Sequence, residues 1–526
     1  MKPSRKSIAY ILLMCTYIAG PAQTVKEEFN EYRNQMMGEY ETFRQSVLSD
    51  YDSFLESIWA DFEVFGAKSK YSEPKPDVAP RADATKPGPS VEIPTPDKPT
   101  TPAAPTPELT SKPSTPKTPT MPKVPTVPKV PKTPSVPKVP NVPGASTTPR
   151  QADNTPSQAA PRKDYSFPYR GMELTVADVP VKIKSTALQR SDFADQWRNI
   201  RNSGGQALVE TFADLAKRHN LNDYLTYDVL MAYTAARFPD AHPSSRMSLV
   251  HYVMANLGCD VRIALDDGNQ PLILIPFDQM VYARRFITIN GYHYYVFGEK
   301  GGDDEPRING LISTCTLPTD RYAGRYVNLL VNDLRLPEDN KDFDISFGNL
   351  HLTGKYNANI MPVLYRYPQM PTQDYATSNV QPELRSQIVE QVKSQLADMS
   401  KIEAVNSLLR FTQSGFKYAT DGEFHGFEKP YFFEEMFHYP KCDCEDRSIF
   451  YTYLLWNALG VENHLIAYPV HESASVCIEG TDIQGDHYVH DGKTFFISDP
   501  TYIGARTGMC MPSFKKVAPT IDKEYK

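Results

Sequence analysis

The chain has 526 residues, with 46 Pro, 27 Gly and a formal net charge of −7. This length allows two to four domains with sizeable cores. The glycines are too few, and too irregularly spaced, for a collagen. An acidic pI near 5.9, without a folded basic stripe, argues against binding to nucleic acid. The only long apolar run, residues 8–19, is too short to span a bilayer, which excludes a polytopic membrane protein.

The first 22 residues have the order of a secretory signal peptide. Lys2, Arg5 and Lys6 precede the apolar run, and small residues at 20 and 22 suit cleavage after Ala22. A short membrane anchor is the alternative. We therefore predict export to the periplasm, the cell surface or the medium, with no membrane span after cleavage.

Residues 23–66 predict an acidic amphipathic helix built from an 11-residue repeat. Apolar side chains recur at this interval along one helix face, in the series Phe29, Tyr40, Tyr51 and Phe62. An isolated helix cannot bury such a stripe by itself. Residues 24–65 therefore either dock on the rest of the chain or mediate self-association.

Residues 67–164 read as a disordered, proline-rich linker. Between Pro113 and Pro143 a proline stands at every third position, which is the period of a polyproline II helix. We interpret this segment as a spacer. Display to a proline-recognising domain and binding to an anionic polymer are less specific alternatives.

The remaining chain contains two stretches with the same element order, 165–312 and 380–526. In each, an apolar helix closed by Gly258 or Gly460 precedes strands and a hairpin with an Asn-Gly or Asp-Gly turn. The helix-closing glycines are 202 residues apart, and the hairpin glycines Gly291 and Gly492 are 201 apart. We predict two copies of one α+β unit joined by a β-rich bridge at 313–379, with chance similarity of two common patterns as the alternative.

The second copy carries the candidate chemistry. Asp443 is a good N-cap, with Asp446 three residues on, and this places Cys444 at the first helical position. A helix N-terminus stabilises a thiolate, although a buried, inert cysteine is equally common there. His471 opens the second following strand, and Asp499 ends the next long strand, which Pro500 stops, so both can face the helix start as a base and its orienting group.

This order of Cys444, His471 and Asp499-Pro500-Thr501 resembles the transglutaminase-like superfamily, whose core is papain-like. The string Asp443 to Asp446 is similar to the bacterial transglutaminase-like cysteine proteinases. The resemblance covers about residues 380–526. It implies a catalytic triad that acts through a thioester on Cys444, with the Cys444 backbone N–H as one oxyanion donor and no cofactor or metal ligand.

Three features depart from the family's pattern or leave it incomplete. Ser473 stands where many members have an aromatic residue, two positions after the histidine. The interval from His471 to Asp499 is long, which leaves His487 as a rival base. The sequence does not identify a side-chain oxyanion donor. Cys442 is interpreted as structural, with a redox role as the alternative.

The resemblance implies an exported enzyme that cleaves or transfers amide bonds of a protein or peptide substrate, with cell-envelope material as one candidate. Hydrolysis is favoured over transfer to an amine. The alternative is a catalytically silent cell-envelope binding scaffold. The first copy has Gly298 in place of Asp499 and no cysteine at its helix start, so we expect it to be inactive.

Overall fold

The computed structural model describes residues 63–68, 81–82, 86–96, 163–314, 324–480 and 483–526. The signal peptide, most of the acidic helix and the regular proline segment at 113–143 lie outside these residues, so those predictions stay predictions. Among the residues described, no helix is both long and apolar enough to cross a membrane. The described chain mixes helices and sheets, in agreement with the α+β prediction.

The N-terminal unit combines one curled sheet with a layer of helices. Its strands are β1 (Glu63–Phe65), β2 (Asp164–Tyr169), β3 (Met172–Ala177), β4 (Arg262–Asp266), β5 (Pro271–Ile275), β6 (Phe286–Ile289), β7 (Tyr292–Phe297) and β8 (Ile312–Thr314). Its helices are α1 (Phe193–Ile200), α2 (Gln206–His219), α3 (Asp223–Arg237) and α4 (Pro243–Asn256), with a 3₁₀ turn at Arg190–Asp192 and a π turn at Arg201–Gly205. The sheet order is β1-β8-β4-β5-β7-β6, and β2 and β3 form a separate hairpin.

A linking region precedes the second unit and packs on it. It contains the hairpin β9 (Asn340–Phe347) and β10 (Leu350–Asn357), a 3₁₀ turn at Ala358–Ile360, and the short helices α5 (Met361–Tyr365) and α6 (Thr372–Thr377). Phe343 of β9 stacks on Phe437 at 4.2 Å between ring centroids. The predicted β-rich bridge therefore contains one hairpin and two helices, and its core is shared with the second unit.

The C-terminal unit repeats the plan of the first. Its helices are α7 (Pro382–Gln395), α8 (Lys401–Gly415), α9 (Asp421–Phe424) and α10 (Cys444–Asn457), with a 3₁₀ turn at Phe433–Phe437. Its strands are β11 (Lys417–Tyr418), β12 (Lys441–Cys442), β13 (Glu462–Tyr468), β14 (His471–Cys477), β15 (His487–His490), β16 (Lys493–Ile497) and β17 (Thr520–Tyr525). The main sheet has the order β15-β16-β14-β13-β17, and β11 pairs with β12.

The two main sheets share one topology. When β13 to β17 are placed on β4, β5, β6, β7 and β8 in chain order, every pair of neighbouring strands in the second sheet has a counterpart in the first. Both hairpins turn through two residues with positive φ, Asn290-Gly291 and Asp491-Gly492, which suits a two-residue turn between twisted strands. The shared strand order supports the inference of two copies of one unit.

The end of the predicted acidic helix is a strand. Glu63–Phe65 form β1, which pairs with β8 in antiparallel register, and Phe65 packs against the apolar cluster under that sheet. The 11-residue repeat predicts that the helix continues through Phe65, which is wrong for these three residues. The edge of a sheet offers unpaired N–H and C=O groups, and hydrogen bonds to that edge outweigh the local preference of Glu63–Phe65 for a helix.

Part of the predicted proline-rich linker is also ordered. Ile93 is 2 % exposed, and its N–H donates to the carbonyl of His487 at 2.7 Å. The N–H of His487 donates back to the carbonyl of Val91 at 3.0 Å, so this segment extends the free edge of β15. The prediction of a linker over all of 67–164 is thus wrong for residues near Ile93, because the buried side chain and two backbone hydrogen bonds fix them.

Replacing Ile93 should therefore destabilise the C-terminal unit. Ile93→Ala is expected to lower the free energy of unfolding by about 2–4 kcal/mol, because it leaves a cavity in the core beneath β15. Val91→Ala is the matched control, because that side chain is 38 % exposed and its change should cost less than about 0.5 kcal/mol. Urea unfolding measures both, and equal effects would mean that the segment is not anchored.

Candidate active site

Cys444 lies at the first position of α10, as the sequence predicts. The backbone N–H of Asp443 donates to Asp446 Oδ2 at 3.0 Å, which is one half of the predicted capping box. The next two turns of α10 are buried on all sides and pack on β13 and β14. This packing fixes the helix start relative to the strand that carries His471.

His471 and Asp499 form a buried pair. His471 Nε2 lies 2.8 Å from Asp499 Oδ2, and both side chains are almost fully buried. An ionised carboxylate only accepts hydrogen bonds, so Nε2 carries the proton and Nδ1 has the free lone pair. Asp499 Oδ1 accepts the backbone N–H groups of Thr501 and Tyr502, which holds the carboxylate in place.

The nitrogen of His471 that remains for a substrate or nucleophile is its Nδ1. This atom is buried and has no hydrogen-bond partner among the described residues. The rival base His487 is elsewhere: its Nδ1 lies 2.9 Å from the carbonyl oxygen of Gly485, on the edge strand β15. The structure thus pairs His471, and not His487, with Asp499.

The Cys444 sulfur is fully buried in this arrangement, and its thiol donates to Glu445 Oε2 at 3.2 Å. The ring of Phe514 stacks parallel to that of His471, with 5.5 Å between the ring centroids. A substrate carbonyl can therefore reach Cys444 only if a covering segment moves. The structure therefore describes a state in which Cys444 is closed to substrate.

Gln413 on α8 connects the cysteine helix with the aspartate loop. Its side-chain nitrogen lies 3.0 Å from the carbonyl oxygen of Asp499, and its side-chain oxygen accepts the N–H of Gly504. Its own carbonyl accepts from Arg447 Nη1, and Arg447 is a fully buried residue of α10. Sequence reasoning missed Gln413, because a glutamine inside an amphipathic helix carries no distinctive signal.

Tyr418 is a second residue that the sequence did not identify. Its hydroxyl is buried and has no hydrogen-bond partner in the described chain. Burial raises the pKa of this phenol, and the neighbouring groups Cys444, Asp443 and Glu445 raise the pKa further. The hydroxyl is therefore a proton donor near the helix start, and it supplies the side-chain candidate for an oxyanion donor.

The other described cysteines behave as buried, inert thiols. Burial raises the pKa of Cys442 to about 11 and those of Cys259 and Cys510 to about 12, and it also raises that of Cys477. Cys442 Sγ accepts from Arg447 Nε at 3.4 Å, in agreement with its structural interpretation. These four thiols stay protonated at neutral pH.

A group of carboxylates surrounds the start of α10. Oxygens of Asp421, Asp443 and Asp446 lie within 4.8 Å of one another, and so do those of Asp421, Glu428 and Glu445. Oxygen-only sets of this kind can hold a hard cation such as Ca²⁺. The sequence does not predict this group, because Asp421 at the start of α9 and Glu428 after that helix are distant along the chain from the start of α10.

Comparison of the chain with protein-family models, with curated proteins and with solved structures gives no match. The geometry of the site alone therefore carries the functional conclusion.

The cluster of carboxylates around the start of α10 should make the free energy of unfolding fall as the pH rises. Burial, and then the neighbouring Glu445 and Asp446, raise the pKa of Asp443 well above its usual value. A carboxyl group with a raised folded-state pKa contributes stability below its unfolded pKa of about 3.9 and loses it as the pH rises through the folded value. The free energy of unfolding, measured in urea with EDTA present, should therefore decrease as the pH rises above about 4.

Asp443→Asn should make this decrease shallower, because the amide has nearly the same size and shape and cannot carry a buried negative charge. Asp342→Asn is the control, because the side chain of Asp342 is 80 % exposed. Parallel pH profiles for the wild type and Asp443→Asn would contradict the interpretation.

Proposed function

We propose that the chain is an exported cysteine enzyme of the transglutaminase-like class, which cleaves amide bonds through a thioester on Cys444. The observation that carries this proposal is the buried His471–Asp499 pair, whose remaining nitrogen has no hydrogen-bond partner among the described residues. Such a pair, on β14 and on the loop after β16, together with a cysteine at the tip of the helix packed on the same sheet, would provide the parts of a Cys-His-Asp triad.

In the proposed reaction, His471 Nδ1 takes the proton of the Cys444 thiol as the sulfur attacks the substrate carbonyl. The tetrahedral intermediate then collapses, the C–N bond breaks, and His471 returns the proton to the leaving amine. Water attacks the thioester in the second half, with His471 taking its proton and then giving it to the departing sulfur. Asp499 orients the ring and stabilises the imidazolium in both halves.

Two donors are available for the proposed oxyanion. The Cys444 backbone N–H lies at the positive end of α10, and the nearby Tyr418 hydroxyl has no hydrogen-bond partner among the described residues. Donors of this kind act most strongly in a site that excludes water, and this site is buried. The substrate is proposed to be a protein or peptide, including cell-envelope material.

The alternative function is a silent binding scaffold. The complete burial of Cys444, and the hydrogen bond of its thiol to Glu445, favour this reading. A carboxylate beside the thiol opposes ionisation, whereas the helix N-terminus and a protonated His471 favour it. Activity therefore depends on whether the site opens to admit a substrate to the thiol.

Turnover should depend on Cys444 and His471 and be independent of His487. Cell-envelope proteins and peptides are incubated with the wild type, Cys444→Ser, His471→Gln or His487→Gln, and new termini are identified by mass spectrometry. Loss of the thiol or of the base should lower the rate by at least about 10³-fold. His487→Gln, which changes a half-buried histidine on the same sheet, should keep the wild-type rate.

The pH dependence of alkylation separates an enzyme from a scaffold even without a known substrate. Iodoacetamide at neutral pH should modify Cys444 selectively, because the other described thiols have raised pKa values. In the enzyme, His471→Gln should move the pH midpoint of Cys444 alkylation upward, since the imidazolium stabilises the thiolate. No modification of Cys444 in the folded protein would support the scaffold.

Tyr418→Phe should lower kcat by about 10²-fold or more, because it removes one oxyanion donor. The same change should leave the free energy of unfolding unchanged or raise it, because a buried hydroxyl without a partner is costly. Tyr294→Phe is the matched control: its hydroxyl donates to Asp260 at 2.6 Å in the first unit, so it should lose stability and keep kcat. Steady-state kinetics and urea unfolding measure both variants.

A further inference from the structure

Three metal-ligating side chains meet on the face of the C-terminal sheet that is turned away from α10. They are His464 of β13, His490 at the end of β15 and Glu524 of β17, and one ligand atom of each lies within 4.8 Å of the others. His464 is 1 % exposed and His490 is 8 % exposed. None of the three belongs to the candidate active site.

The curl of the sheet creates this cluster. β15 and β17 are the two edges of the five-stranded sheet, with three strands between them. Nevertheless His490 Nε2 of one edge lies 3.3 Å from Glu524 Oε1 of the other. Two ligands at about 2.0 Å from a tetrahedral zinc ion are about the same distance apart. The cluster therefore joins the two edges across the open side of the sheet.

At one of these places the N-terminal unit has an apolar residue. His490 directly precedes the Asp-Gly hairpin turn, and Ile289 directly precedes the Asn-Gly turn. Ile289 belongs to a buried apolar cluster. The strand registers place His464 on Arg262, which is also polar and buried, so the comparison concerns His490 alone. Since burying a polar group costs free energy, the second unit keeps His490 at a cost that a bound ligand would offset.

Neighbouring groups orient two of the three side chains. His464 Nδ1 lies 2.9 Å from the Tyr488 hydroxyl, an arrangement that orients the ring and leaves Nε2 for a ligand. Glu524 pairs with Lys526 and lies within hydrogen-bond distance of His490 Nε2.

We propose that His464, His490 and Glu524 bind a zinc ion that clasps the two edges of the C-terminal sheet. Two imidazoles and one carboxylate favour Zn²⁺ over Ca²⁺ or Mg²⁺, which take oxygen ligands. Asp491 Oδ2, at 3.7 Å from His490 Nε2, or a water molecule completes a tetrahedral set. Lys526 forms an ion pair with Glu524, and a bound zinc ion would partly displace the Lys526 ammonium group from that carboxylate.

Metal titration of the full-length chain tests this site. The chain is freed of metal with EDTA and titrated with Zn²⁺, in a Cys444→Ser background that removes the thiol of the other site. One equivalent should bind and raise the melting temperature. His490→Ala and Glu524→Gln should each weaken binding by about 100-fold or more, whereas His487→Ala, on the same strand outside the cluster, should bind as the parent does.

X-ray absorption at the zinc edge gives a second measurement that needs no ligand variant. Zinc bound to the wild-type chain at one equivalent should show imidazole and oxygen neighbours and no sulfur. Failure of the parent protein to bind one equivalent of zinc would overturn the proposal. So would a sulfur neighbour, or equal affinity in the parent, His490→Ala and Glu524→Gln.

Discussion

Gln413 is the side chain on which the geometry of the candidate active site depends. Its amide holds the loop that begins at Asp499, and its carbonyl receives the guanidinium of Arg447 from the helix that begins at Cys444. Arg447 also donates to the carbonyl of Phe416, at the end of α8. Since a buried guanidinium must have its hydrogen bonds satisfied, the two elements cannot shift independently without a large cost. The loop that carries Asp499 and the helix that begins at Cys444 are thereby held in one frame.

The start of α10 is electrostatically unfavourable. Carboxylates crowd the start of α10, and burial together with mutual repulsion raises the pKa of Asp443 and Asp446. Local departures from the most stable arrangement are common at functional sites, because a site arranged for chemistry is not arranged for stability. The Tyr418 hydroxyl and His471 Nδ1, which have no hydrogen-bond partner among the described residues, are further costs of this kind.

The two units share one sheet topology but not the candidate site residues. Pro243 begins α4, as Cys444 begins α10, and Pro271 opens β5, as His471 opens β14. Neither proline can act as a nucleophile or a base. Ile289 of the first sheet stands where the second has His490. The first unit therefore keeps the sheet topology of the second without these side chains.

The sequence by itself determined the local features. The helix start at Cys444, the two glycine hairpins and the order of strands follow from capping, turn chemistry and periodicity, which act over a few residues. Tertiary structure decided what depends on distant partners. It selected His471 over His487 as the partner of Asp499, recruited Gln413 and Tyr418, and turned Glu63–Phe65 into an edge strand. It also brought His490 to Glu524, because the curl of a sheet is set by the packing of all its strands and leaves no mark on any one of them.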